Sequence, residues 1–311
     1  MHTTLRIADG IEDLVGSTPL VRLRLDGAAE GTEVLAKLES ANPMSSSKDR
    51  AALHMLRAAE ARGDLVRGSG TVVEASSGNT GISLAAFSAS RGYRCVIVLP
   101  DSATAERVRL LKALGAEVVL TPREERYTGA IAKAEEIHAS IPGSWFPCQH
   151  ENPDNVRAHY ETTGPEIWEA TGGRIDTLVI GVGTGGTLTG IARYLKERAP
   201  EVHVVAVEPE NSPVLSQGTA GLHRIPGLNG GFVAPTTDVS LIDQVVTVSD
   251  QAALEAARGL ALSQGLFVGI SSGAVAHVCA ELVAKPEYRG RTVVTLFPDT
   301  GERYLSVWDE S

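Results

Sequence analysis

The sequence predicts an α/β protein made of two doubly wound domains with mainly parallel central sheets. Short Val- and Ile-rich runs alternate with longer helical patterns from residue 71 onward, the signature of parallel strands covered on both faces. These units are too many for one compact sheet, which places a boundary near residue 150. A chain of 311 residues is long enough for two cores.

In chain order, the run NPMSSSKDR (residues 42–50) opens a helix. Pro43 is followed by Ser45, Ser46 and Ser47, good capping residues, and KDRAALHMLRAAEARG places Ala52, Met55, Leu56 and Ala59 on one face. The strands TVVEAS, YRCVIVLP, AEVVLT and SWFPC follow. Between them lie the helical stretches NTGISLAAFSASRG, ATAERVRLLKALG and GAIAKAEEIHASI. A second series of strands reads TLVIGV, VHVVAVEP, QVVTVS and RTVVTLFP. Residues 211–243 break the rhythm; they are rich in Gly and Pro, as long connections that line a site often are.

Composition excludes several function classes. The net charge of −10 with scattered Arg and Lys argues against a nucleic-acid or anionic-membrane surface. No apolar run reaches spanning length, and MHTTLRIADG lacks the apolar centre of a signal peptide, so a cytoplasmic protein is expected. Cys95, Cys148 and Cys279 are far apart inside apolar stretches, which fits reduced, buried thiols and no metal site.

Three stretches carry candidate chemistry. Lys48 falls in the first turn of a helix, where the macrodipole disfavours a cation. It is either a solvated lysine beside Asp49 and Arg50, or a lysine kept uncharged as a nucleophile able to hold an aldehyde as an imine. After the strand TVVEAS, the residues Ser76, Ser77, Gly78, Asn79 and Thr80 offer hydroxyls, an amide and backbone N–H groups to a carboxylate, more than capping requires. After TLVIGV, the run Gly183, Thr184, Gly185, Gly186 and Thr187 lets the backbone close on a phosphate at a helix start. Gly181, Gly183 and Gly186 also satisfy G-x-G-x-x-G, with Glu208 at the distance of a ribose-binding acid, so a nicotinamide or flavin enzyme is the competing reading. Two features oppose it: a full α/β domain precedes the fingerprint, and Lys48 and SSGNTG are left without a role. One phosphate plus one aldehyde uses all three stretches, and that cofactor is pyridoxal phosphate.

With these residues assembled, the chain resembles the cysteine synthase (O-acetylserine sulfhydrylase) family. That family shares its fold, fold type II of the pyridoxal-phosphate enzymes, with cystathionine β-synthase and tryptophan synthase β. The resemblance spans nearly the whole chain. It runs through GSTPLVRL, KLESANPMSSSKDR, SSGNTG, TTGPEIWEATGG, GVGTGGTLTGIARYL, GLFVGISSGA and LFPDTGERYLS. It implies a smaller mobile domain at residues 41–150 and a larger phosphate-binding domain formed by 1–40 and 151–311.

It further implies that Lys48 is the imine lysine and the base at the α-carbon, and that Asn79 bonds the cofactor's phenolic oxygen. Gly183 to Thr187 would cradle the phosphate, and Ser271 in GISSGA would face the pyridine nitrogen. Ser76 to Thr80 with Gln149 would take the substrate carboxylate, with His150 and Gly227 in the pocket wall. The implied reaction is β-replacement on an O-activated L-serine through an aminoacrylate, with O-acetylserine and sulfide giving cysteine and acetate. A homodimer and binding of a serine acetyltransferase C-terminal tail are implied as well.

The chain departs from the family pattern at Ser76 (usually Thr), at His150 (usually an aromatic such as Phe) and at Ser47 (usually aliphatic). PGLNGGF, with Pro226 and Asn229, replaces a common QGIGAGF. These departures gather where the second substrate enters, which leaves open a relative using O-phosphoserine, homocysteine, an amino acid or hydroxyurea. A non-catalytic binding protein on the same fold is a third possibility, opposed by the retention of Lys48, Asn79, the glycine loop and Ser271.

Overall fold

The computed structural model describes residues 7–309 of the chain. Its elements run β1 (Leu20–Arg22), β2 (Glu33–Leu38), α1 (Lys48–Arg62), β3 (Thr71–Ala75), α2 (Asn79–Arg91), β4 (Arg94–Pro100) and α3 (Ala105–Ala113). Next come β5 (Glu117–Thr121), α4 (Arg126–Ser140), β6 (Ser144–Trp145), α5 (Pro153–Ala158), α6 (Gly164–Thr171), β7 (Thr177–Gly181) and α7 (Gly186–Lys196). The chain finishes with β8 (His203–Pro209), α8 (Val214–Gln217), β9 (Gln244–Val248), α9 (Asp250–Gln264), α10 (Ile270–Val283), β10 (Thr292–Phe297) and α11 (Leu305–Asp309).

These elements form two compact units. The first comprises residues 7–16, Asn42–Met44 and Lys48–Pro147, and the second Ser17–Ala41, Ser45–Ser47 and residues 148–309. The first holds a four-stranded sheet in the order β5-β4-β3-β6, with every pair parallel. The second holds a six-stranded sheet in the order β1-β2-β10-β7-β8-β9, parallel except for the β1–β2 pair. Each of the eight strands read from the sequence is present. The antiparallel β1–β2 pair is an addition: β1 has three residues and none is fully buried, so it leaves no apolar run to read.

Alternation of side chains explains both layers. In the first unit Val72, Cys95, Ile97 and Leu99 point to one core, while Val73, Ala75, Val96 and Val98 point to the other. In the second, Val179, Val205, Val207, Val293 and Phe297 face one core, and Leu178, Ile180, Val204, Ala206, Val294 and Leu296 the other. Each buried Val or Leu contributes about 1.5–3 kcal/mol. Burial pushes the thiols of Cys95 and Cys279 up to about 12, so both are inert in these cores. Cys148 differs from the sequence expectation: it is only half buried and takes a left-handed φ of 48°. No described helix is long and apolar enough to cross a membrane.

Strand order locates the places where ligands can bind. In the second sheet the chain moves outward from β7 to β8 and β9, then returns to place β10 on the other side of β7. In the first it moves from β3 to β4 and β5, then places β6 on the other side of β3. Each sheet therefore has a switch point at which successive connections diverge and leave a crevice. GVGTGG follows β7 and SSGNTG follows β3, so both motifs stand at switch points.

A buried charge cluster fastens the 3₁₀ turn Ile11–Leu14 to the first unit. Arg91 is 5 % exposed and pairs with Glu12 and Glu60, and the Tyr93 hydroxyl also donates to Glu60. Burial works against charge on Glu60, and Arg91 and Tyr93 outweigh it, holding the carboxyl below its usual range. Arg91→Ala strands the two carboxylates and is expected to cost about 3 kcal/mol in urea unfolding. A loss under about 1 kcal/mol would place the cluster with ordinary surface pairs.

Candidate functional site

In the second unit, the strand β7 ends at Gly181 and α7 begins at Gly186. Gly185 precedes the helix with φ 82°, and no side-chain hydrogen bond caps it among the described residues. The first N–H groups of α7 thus have no side-chain acceptor from the capping position, the arrangement that attracts an anion. Glycine is demanded by close approach as well as by dihedral angle. A Cβ on Gly183 would lie 2.3 Å from the carbonyl oxygen of Gly227, and one on Gly186 would lie 2.4 Å from Oδ1 of Asn155. At Gly185 a Cβ would meet the Thr237 hydroxyl, which is buried and has no hydrogen-bond partner among the described residues. Thr187 Oγ1 lies 3.1 Å from His159 Nε2, and its backbone N–H stands in the first turn of α7.

Two further segments converge on this loop. Ser271, in the first turn of α10, is 3 % exposed, and its hydroxyl lies 3.9 Å from where a Cβ on Gly227 would be. Gly227 itself has φ 90°, so glycine there both permits the turn and leaves space beside Ser271. Asn229 turns out to be a staple of the irregular segment. Its amide donates to Ser212 O at 2.7 Å, its Oδ1 accepts from Ser212 Oγ and from Gly231 N–H, and its own N–H bonds Val182 O. His223 braces the same turn, accepting the Ile225 N–H on Nδ1 at 3.2 Å.

Glu208, the acid that suggested a ribose site, is fully buried and accepts from Leu215 N–H, Ser216 N–H and Ser216 Oγ, closing the start of α8. Its carboxylate is a helix cap, and the dinucleotide reading loses its acidic partner.

On the other flank of the loop, Gln149 and His150 follow Cys148. Gln149 is 6 % exposed, and the His150 ring packs against Phe232 with centroids 5.2 Å apart and a 56° tilt.

In the first unit, Lys48 is the first residue of α1. Asp49 reaches back to accept the Met44 N–H at 2.6 Å and also accepts from Ser83 Oγ. The expected capping serines, which belong to the second unit, behave differently. Ser45 has φ 55°, and Ser46 buries a hydroxyl that makes no hydrogen bond among the described residues. Backbone contacts hold them: Ser46 bridges Asp299, and Ser47 N–H donates to Pro298 O at 2.9 Å. The loop after β3 closes on Ser76, whose Oγ accepts from Gly78 and Gly81 N–H. Asn79 and Thr80 start α2. Two side chains unsuspected from sequence grip the loop's carbonyls, Arg107 at Ser77 O (2.9 Å) and Tyr127 at Ala75 O (2.7 Å).

Residues 11–299 match the family described as Pyridoxal-phosphate dependent enzyme. The chain belongs to that family. It is 46% identical over 305 residues to a probable cysteine synthase of Bacillus subtilis (strain 168), covering 97% of each chain. Among solved structures, cysteine synthase from Entamoeba histolytica superposes with a TM-score of 0.94 at 38% identity, covering 98% of this chain and 91% of that one. O-ureido-L-serine synthase superposes with a TM-score of 0.92 at 42% identity, covering 97% and 94%.

The residues of this pyridoxal-phosphate enzyme fit its cofactor. The bare start of α7, the glycines that any Cβ would obstruct, and the buried Thr237 hydroxyl over Gly185 suit a phosphate group. The space left by Gly227 beside the Ser271 hydroxyl suits the edge of a ring. Sequence reasoning missed Asn155, Thr236, Arg107, Tyr127 and His223. Arg107, Tyr127 and Thr236 act on backbone groups distant in sequence, Asn155 joins Gln149 O to Thr184 Oγ1, and His223 takes an N–H two residues along; no local pattern marks any of them.

The His223 staple is expected to weaken in acid. Burial holds its imidazole below the ordinary 6.5, against opposing contributions from an Asn229 backbone hydrogen bond and the Asp250 charge. A depressed value means the contribution to stability is present above about 6.5 and is lost as pH falls through the lower folded value. Asn can supply an acceptor near Nδ1 without titrating. His223→Asn is therefore expected to flatten the fall in melting temperature between about pH 7 and pH 5. Identical slopes for variant and wild type would remove His223 from the loop's pH response.

Proposed function

We propose that the chain catalyses β-replacement on an O-activated L-serine, with O-acetylserine and sulfide giving L-cysteine and acetate. The observation that carries the reading is the convergence of an uncapped glycine-lined helix start, Gly227 and Ser271 at one switch point, with Glu208 turned away to cap α8. The full-length likeness to cysteine synthases supports it. When bound, pyridoxal phosphate supplies an aldehyde that condenses with an amine and a ring that draws electrons from the α-carbon.

The chain's own residues do the remainder. Backbone N–H groups of Gly183 to Thr187 bind the phosphate, and Lys48 Nζ holds the aldehyde and, when released, takes the proton from the α-carbon. Ser76 to Thr80 and Gln149 hold the substrate carboxylate, with Asn79 on the phenolic oxygen. Ser271 meets the ring nitrogen with a neutral hydroxyl. A hydroxyl does not keep that nitrogen protonated as a carboxylate would. Electron withdrawal stays moderate, which favours prompt loss of the β-substituent over racemisation. Acetate would depart with the C–O pair, and hydrosulfide would form the C–S bond at the β-carbon and keep its proton as the cysteine thiol. Lys48 Nζ then returns the proton to the α-carbon. We also propose a cytoplasmic homodimer whose cleft accepts an acetyltransferase tail, a reading supported by family resemblance.

A visible spectrum taken before and after O-acetylserine tests the proposal. The lysine-bound cofactor band is expected to move to longer wavelength with O-acetylserine and to return when sulfide is added. Lys48→Ala is expected to lose that band and at least about 10³-fold of turnover. Wild-type turnover in that variant would end the mechanism.

One observation favours a different nucleophile. His150 brings a polar ring against Phe232 in the candidate substrate wall, and a 42% identical structure is that of O-ureido-L-serine synthase. His150→Phe is expected to change the ranking of sulfide, homocysteine and hydroxyurea as acceptors, read from the rate at which each restores the starting spectrum. An unchanged ranking would make His150 a neutral occupant of the wall.

A further inference from the structure

We propose that Thr236, assisted by Asn155, is a positioning residue that couples the phosphate loop to the Gln149–His150 wall, so that seating the phosphate also sets the carboxylate site. The inference rests on the roles proposed above for Gly183 to Thr187 and for Gln149 and His150.

Two side chains tie the consecutive carbonyls of Gln149 and His150 to the two oxygens of Thr184. Asn155 has two amide protons and uses both, donating to Gln149 O at 2.9 Å and to Thr184 Oγ1 at 3.0 Å. The Thr236 hydroxyl lies 2.5 Å from Thr184 O and 3.0 Å from His150 O. A hydroxyl has one proton, so the shorter contact takes it, and the Thr236 N–H serves His150 O at 3.3 Å. Thr236 thereby holds one carbonyl from each segment.

The bridge is buried and laced to its surroundings. Asn155 is 1 % exposed and Thr236 5 %. Thr189 Oγ1 on α7 donates to Thr236 O at 2.8 Å and accepts the Asp238 N–H at 2.9 Å, lacing the bridging segment to the helix that starts at the phosphate loop. Cys148, directly before Gln149, sits at φ 48°, a conformation costing a non-glycine residue about 1 kcal/mol or more and kept only where surroundings enforce it. Any shift of Thr184 as the loop closes on an anion is transmitted through this knot to the residues proposed to meet the substrate.

Thr236→Val keeps shape and N–H and removes only the O–H bond to Thr184, whereas Thr236→Ser keeps the hydroxyl. Holoenzymes of wild type and both variants are compared by the KM for O-acetylserine, by kcat, and by cofactor dissociation in dialysis followed at the visible band. In Thr236→Val, donor KM and cofactor Kd are both expected to rise roughly five-fold, the effect of one lost hydrogen bond, with kcat changing less. Thr236→Ser is expected to restore both. A change in melting temperature alone, or in only one of KM and Kd, would overturn the coupling. Failure of Thr236→Ser to restore either would assign the effect to methyl packing and overturn it too. Absence of a cofactor band in wild type would instead overturn the underlying reading of the site, and the coupling with it.

Discussion

The second unit is organised around one constraint: the residues that open α7 can carry no Cβ, because neighbouring backbone and side chains already fill that space. Gly183 passes the Gly227 carbonyl, Gly185 turns left-handed under Thr237, and Gly186 presses on Asn155. Gly190 extends the requirement along the helix, since a Cβ there would lie 2.4 Å from the Val156 carbonyl oxygen. Helix α7 therefore packs against the 156–160 backbone at a distance only glycine permits. The strand order that makes β7 the switch point would have no functional value if these approaches were blocked.

A different solution operates in the loop after β3. There the helix start is preceded by serines, and Ser76 turns its own hydroxyl back to Gly78 and Gly81. Order comes from outside the loop, through Arg107 and Tyr127 on its carbonyl oxygens. A charged donor on Ser77 O is stronger than a neutral one and fixes the peptide without occupying the hydroxyls and amide proposed for the carboxylate. Both loops thus draw stability from residues that never need to touch a ligand.

The alternation of apolar residues made the parallel strands legible, because buried strands have to be Val- and Ile-rich on both faces. Glycine-rich and serine-rich turns were legible for the same kind of reason, each being more than a plain connection needs. Spacing failed at Glu208, since an acid at the right distance serves equally well as a cap for a short helix. Asn229 stood out only as a departure from the family pattern, and its side chain proves to be an internal staple of the irregular segment. Thr236 gave no signal at all: its partners lie 86 and 52 residues away, and it binds their backbones, which have no letter in the sequence.

That last point bears on how acceptor choice can vary on a fixed cofactor scaffold. At His150 the main chain and the side chain have separate partners: the carbonyl is held by Thr236, and the ring faces Phe232. Exchanging the ring leaves the carbonyl in place, because backbone hydrogen bonds are indifferent to the side chain they carry. In the proposed reading, position 150 can alter the polarity of the wall facing the nucleophile while the phosphate loop keeps its geometry. A substitution at Thr236 lacks that freedom, since its hydroxyl is the group on which the glycine loop relies. Selectivity is therefore expected to reside in rings at the wall, and cofactor retention in small hydroxyls behind it.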